Sequence, residues 1–161
     1  MSDARFTGDD PGPARGDVRG GPSRPGPVDL TLTVPAEVGS LPALRAAAAE
    51  WVGPLQVGET DLGSIQVVLS ELAANAIEAS RPGDTVEIEL SCEAGSVVVV
   101  VRNPSRLAAP VPIPAMAEPL APRGRGLAIV GSLAQRLSLR EVGGQTVARA
   151  DLRLTDVRSD V

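Results

Sequence analysis

From residue 28 the chain falls into a regular alternation. In "VDLTLTV", Leu30, Leu32 and Val34 alternate with Asp29, Thr31 and Thr33, the period of a half-buried strand. The spacing then changes to that of a helix. Over "SLPALRAAAAEWVGPL", Leu41, Leu44, Ala48 and Trp51 share one face, Ser40 is placed as N-cap and Pro42 lies in the first turn, with an end near Gly53 and Pro54. A second helix is predicted from Asp61, as its N-cap, to Ser80. Ile65, Val68, Leu69, Leu72 and Ala76 form its apolar stripe, and "RPGD" stops it. Two strands follow, Thr85 to Cys92 and Ser96 to Asn103, joined by a hairpin turn at Ala94 and Gly95. A proline-rich stretch to Arg123 excludes regular structure and reads as a functional lid or a flexible insert. Helical pattern resumes in "GRGLAIVGSLAQ", and strands near Leu137 to Val142 and Thr146 to Leu154 close the chain around Gly143 and Gly144.

The predicted fold class is α+β: a two-layer sandwich with helices on one face of a mixed, mostly antiparallel sheet. Residues 28–154 form the domain. Residues 1–27 are rich in Gly and Pro and poor in large apolar side chains, so they read as a disordered tail, and residues 155–161 as a short C-terminal tail. With 161 residues, 43% of them hydrophobic, the chain can bury one sizeable core. Cys92 continues the inward alternation of its strand and reads as a small core residue.

Composition removes whole classes of chemistry. The chain has no His, and each of its 15 basic residues is Arg, which excludes His bases, Ser-His-Asp triads, Schiff-base lysines and a P-loop lysine. An aromatic share of 1% and a net charge of -5 argue against direct nucleic-acid binding. Cys92 is the single cysteine, so no internal disulfide forms. Without a signal-peptide core or a membrane-length apolar run, the chain reads as soluble and cytoplasmic, with no membrane partner.

Three elements could carry chemistry. In "LSELAANAIEAS", Glu71 and Asn75 stand four apart, on one helix face beside the apolar stripe, where a carboxylate and an amide oxygen could hold Mg²⁺ and orient a hydroxyl. Taken alone, such a pair is far more often a solvated face than a site. In "RGRGLAIV", glycines at a helix start allow close approach of an anion to free N–H groups, with Arg123 and Arg125 as charged forks; the plain alternative is a turn. Asn103 ends a strand rich in valine, and its amide could meet an adenine edge or cap the turn before Pro104.

In this order and spacing, the three elements resemble the Bergerat-fold ATP-binding family of type II topoisomerases, heat-shock chaperones, histidine kinases and anti-sigma-factor serine kinases. "SELAANAIEAS" resembles the family's N box, "RGRGLAIV" its Gly-rich box after the lid, and "GGQTV" its last box. The middle box, normally Asp-x-Gly-x-Gly, falls on Asn103, Pro104, Ser105, Arg106 and Leu107, with Asn for Asp and both glycines replaced.

The resemblance implies ATP and Mg²⁺ as cofactors and Glu71 as catalytic base. It implies that Asn75 holds the metal and that Asn103 and Thr146 hold adenine. Arg123, Gly124, Arg125, Gly126 and Leu127 then form the phosphate side. The small size and Pro-rich lid are most similar to the anti-sigma-factor kinases; histidine kinases are disfavoured because no His and no helix pair precede the domain. The implied function is a regulatory protein that phosphorylates a serine or threonine on a small antagonist. Its partners are a sigma factor, a small anti-anti-sigma protein of STAS type, or a second copy in a homodimer. The altered middle box favours an alternative: a non-catalytic module that sequesters its partner with weak or no nucleotide binding.

Overall fold

The computed structural model describes residues 29–105 and 125–155; the N-terminal tail, the proline-rich segment, and the site residues Arg123 and Gly124 lie outside the described residues. Five strands and three helices form: β1 (Leu30–Pro35), α1 (Leu41–Val52), α2 (Glu59–Glu78), β2 (Thr85–Glu93), β3 (Ser96–Pro104), α3 (Arg125–Leu133), β4 (Arg136–Val142) and β5 (Gln145–Arg153). The strands make one sheet in the order β1-β2-β3-β5-β4. All four pairings are antiparallel, where a mixed sheet was expected. The reason is connectivity: β5 turns back from β4 and inserts beside β3, so no two parallel strands become neighbours.

Alternation along the strands delivers one apolar face to the helices. Val86, Ile88 and Leu90 of β2, Val97, Val99 and Val101 of β3, and Ala148, Ala150 and Leu152 of β5 are buried. Against them lie Leu44, Ala48 and Val52 of α1 and Ile65, Val68, Leu69, Leu72 and Ala76 of α2, the 3.6-residue stripes expected of helices that cover a sheet. Trp51 packs against this core, as its place on the stripe suggested. Helix α2 is central: it packs on α1, on α3 and on β3.

The valine run of β3 is buried on both faces. Val98 and Val100 lie on the side away from the helices, ringed by Glu89, Ser91, Arg102, Arg149 and Asp151 through the strand register. There Arg102 donates to Glu87 at 2.9 Å and Glu89 at 3.0 Å, and Arg149 to Asp151 at 2.8 Å and Glu93 at 3.1 Å. Arg stems commonly cover apolar surface while their heads pair with carboxylates, and here that shields two valines on an otherwise polar face. The hydrogen bond to Asp151 is the main reason that the Arg149 guanidinium is held above its ordinary value.

Three local expectations change. Helix α2 begins two residues before Asp61, with Gly58 at the N-cap. Asp61 is instead buried, and its carboxylate accepts from the Thr155 N–H at 2.9 Å and the Thr155 hydroxyl at 2.8 Å. Ser40 occupies the N-cap position of α1 without a capping bond; its hydroxyl donates to the Pro35 carbonyl at 2.9 Å, tying the helix entry to β1. Cys92 faces the core side but lies near the sheet's end and is half-buried, so it is not a full core residue; burial pushes its thiol up. The hairpin at Ala94 and Gly95 forms as predicted, with φ of 46° and 79°, the left-handed pair of a two-residue turn.

Candidate functional site

The sheet register, one helix and one helix start converge at a single cavity of about 170 Å³. Asn103, near the end of β3, pairs directly with Thr146, near the start of β5, so their side chains share the helix-facing side. Over them runs the C-terminal half of α2, which contributes Leu72, Asn75 and Ala76, followed by the C-cap Ala79, together an i, i+3, i+4, i+7 stripe. Asn75 is half-buried, at the edge of the apolar stripe. Val101, Ala148 and Leu139 supply more apolar wall, and Leu127 comes from the first turn of α3. A largely apolar cavity with a few polar groups suits a heteroaromatic ring.

Polar accounting marks this cavity. The Asn75 Nδ2 and the Ser105 Oγ are buried without a hydrogen-bond partner among the described residues, and both belong to residues that line it. Buried polar groups are nearly always paired, so two orphans around one cavity mark a place completed by something else. Asn103 is 4% exposed, and its Nδ2 donates to the Pro104 carbonyl at 3.2 Å.

Glu71 reaches the cavity's rim by a different route. One turn before Asn75, it lies against the start of α3, where a Cβ placed on Gly126 would collide with the Glu71 carboxylate. Gly126 is buried, and the absence of a side chain is what lets the carboxylate and the helix start approach. Arg125, the residue before it, is exposed.

Of the predicted site residues, Asn75, Asn103, Leu127 and Thr146 line the cavity and Glu71 meets Gly126 beside it. Arg125 stands at the same helix start. Sequence reading missed Ser105 and the apolar wall. Both carried a signal: Ser105 is two residues after Asn103 on an alternating strand, and Leu72, Ala76 and Ala79 stand at helical spacing from Asn75.

The residue set fits a nucleotide with a hard cation. An amide supplies one oxygen ligand, and Mg²⁺ ordinarily keeps several waters and takes phosphate oxygens for the rest, so it needs no all-protein cage.

The profile of the histidine kinase-like ATPase domain matches residues 34–151, most of the chain. The chain belongs to that family. The expected membership of the Bergerat-type ATPase family is thereby shown. No curated protein matches the sequence. Among solved structures, the chain is similar to the RsbU and RsbW domains of a Mycobacterium tuberculosis protein, at 20% identity and a TM-score of 0.59, covering 79% of this chain and 32% of that one. It is also similar to a blue-light activated histidine kinase of Erythrobacter litoralis, at 20% identity and a TM-score of 0.51, covering 76% of this chain and 42% of that one. The chain thus spans less than half the length of either, and the likeness is one of fold. No helix among the described residues is long and apolar enough to cross a membrane.

Proposed function

We propose that this domain binds ATP with Mg²⁺ and transfers its terminal phosphoryl group to a serine or threonine of a small regulatory protein, in the manner of an anti-sigma-factor kinase. The observation that carries this reading is the pairing of Glu71 with Gly126: a carboxylate held against a helix start, one turn along α2 from Asn75, whose buried amide nitrogen has no partner among the described residues. ATP would supply the activated phosphoryl group, and Mg²⁺ would neutralise charge on its oxygens. The residues of the chain divide the remaining work. Asn103 and Thr146 orient a base in the apolar slot between Leu72, Val101 and Ala148. Asn75 offers its amide oxygen to the metal. Gly126 and Arg125, with Arg123 and Gly124, give N–H groups and guanidinium forks to phosphate oxygens. Glu71 accepts the proton of the attacking hydroxyl, a role that needs a carboxylate near the phosphates without touching the base.

The similarity to a protein with an RsbW domain supports a partner in a sigma-factor pathway: a sigma factor, a STAS-type antagonist, or both. Such a protein would act in the cytoplasm, in transcription regulation, and a homodimer is compatible with it.

The second reading, a module that sequesters its partner without catalysis, draws on the middle box, where Asn103, Pro104 and Ser105 stand for Asp-x-Gly. Replacing a charged acceptor by a neutral one weakens a hydrogen bond by about 1 kcal/mol. That is a modest loss, which leaves nucleotide binding feasible and favours the kinase. Calorimetric titration with Mg-ATP, followed by label transfer from γ-labelled ATP to STAS-type proteins, tests both. Binding with transfer is the expected result; binding without transfer to any such protein, or no binding at millimolar nucleotide, would leave the sequestering module.

A further inference from the structure

One polar group in the cavity has no part in the function proposed above. The Ser105 N–H donates to the Gly144 carbonyl at 2.8 Å, so the ladder between β3 and β5 continues one residue beyond Pro104. Alternation then puts the Ser105 side chain on the same face as Val101 and Asn103, and all three line the cavity. Its backbone is anchored, yet its buried hydroxyl has no partner among the described residues. A hydroxyl so placed can donate one hydrogen bond to whatever fills the space.

Asn103 narrows what that ligand is. One hydrogen of its Nδ2 is engaged by the Pro104 carbonyl at 3.2 Å, which leaves Oδ1 and the second N–H to meet a base. Turning the amide over would set Oδ1 against the Pro104 carbonyl, two acceptors with no proton between them. In this orientation Asn103 can present Oδ1 as an acceptor, for which adenine offers the matching donor in its exocyclic amino group. On both sides of that amino group adenine carries a ring nitrogen that accepts. Guanine carries an oxygen in place of the amino group, so it would meet Asn103 acceptor to acceptor.

We propose that Ser105 is a second base-reading residue, whose hydroxyl donates to one of the two ring nitrogens flanking the amino group that Asn103 holds. The inference rests on the nucleotide-binding reading above and deepens it: two neutral hydrogen bonds on neighbouring inward positions of one strand replace the single charged acceptor of the usual box. Adenine is then read at two points, its donor by Asn103 and its acceptor by Ser105.

Competition binding on the full chain tests this with Mg-ATP, Mg-GTP, and the 1-deaza and 7-deaza analogues of ATP, each lacking one of the two ring nitrogens. The unmodified protein is expected to bind one of the two deaza analogues about tenfold more weakly than ATP, and GTP more weakly still. Ser105→Ala is expected to bind ATP about tenfold more weakly, with no further loss on that same analogue. Equal affinity of the unmodified protein for ATP and both deaza analogues overturns the proposal without needing the variant to fold. A Ser105→Ala loss of the same size on ATP and on both analogues also overturns it, since the hydroxyl would then act on structure alone. Failure of the unmodified protein to bind ATP at all would instead remove the nucleotide reading, and Ser105's role with it.

Discussion

The two ends of α2 treat buried polar groups in opposite ways. At the first turn, Asp61 is 7% exposed and both its oxygens are occupied, one by the Thr155 N–H and the other by the Thr155 hydroxyl. Four turns on, the Asn75 amide nitrogen is buried with no partner, on the same helix and against the same sheet. A polar group satisfied within the chain contributes to architecture: Asp61 ties α2 to the segment that follows β5. A polar group left unsatisfied lowers stability, by about 1–3 kcal/mol for a neutral group, and such a loss is tolerated where binding requires the group. Hydrogen-bond completeness thus separates the two ends of the helix: Asp61 is buried and paired, whereas Asn75 is half-buried with an amide nitrogen left for the ligand proposed above.

The largest effect expected on the functional end is that of Glu71→Ala. It should lower phosphoryl transfer about 10²–10⁴-fold while ATP affinity stays nearly unchanged, since a base that meets the nucleophile contributes to the transition state more than to ground-state binding. Single-turnover label transfer beside equilibrium binding checks it, and undiminished transfer would remove Glu71 from the chemistry.

The structural end should respond in the other currency. Asp61→Ala removes two hydrogen bonds to a charged acceptor, so denaturant unfolding should show a loss of about 1.5–3 kcal/mol, with affinity per folded molecule unaltered. An unchanged midpoint would erase the contrast between the two ends.

Gly126→Ala tests the contact that brings Glu71 to α3. Because the added methyl would meet the movable end of the Glu71 side chain, the carboxylate is displaced and the fold is kept. A displacement of about 1 Å lowers rates up to about 10²-fold, so label transfer should fall while the melting temperature moves little. A transfer rate equal to that of the unmodified protein would show that the close approach has no catalytic use.

Asn75→Ala sharpens the comparison most directly. Removing an orphaned amide should leave stability equal or slightly higher, while Mg-ATP binds about tenfold more weakly, a difference that disappears with EDTA. If thermal melting fell as far as it does for Asp61→Ala, Asn75 would be structural as well. The smallest effect lies away from α2, at Ala94, whose φ of 46° is unfavourable for a residue with a Cβ. Ala94→Gly should raise stability by about 1 kcal/mol in the same denaturation assay, and leave nucleotide affinity where it was.

The sequence by itself determined the elements and their facing. Period-2 runs such as Leu30, Leu32 and Val34, and stripes such as Ile65, Val68, Leu69 and Leu72, are local patterns whose physical cause, one buried side, acts within a single strand or helix. The spacing of Glu71 and Asn75 and the box around Gly126 were legible for the same reason. Tertiary structure decided which polar groups have partners. Asp61 read as a helix cap because its partner, Thr155, stands 94 residues away in the chain, and no local pattern encodes that bond. Ser105 read as one lost glycine of a box until the β3–β5 register, extended through Gly144, put its hydroxyl in the cavity. The antiparallel sheet likewise depended on where β5 inserted, beside β3 as well as β4. Periodicity fixes which side of an element is buried, whereas the partner of each polar atom depends on contacts between distant segments, which exist only once the chain has folded.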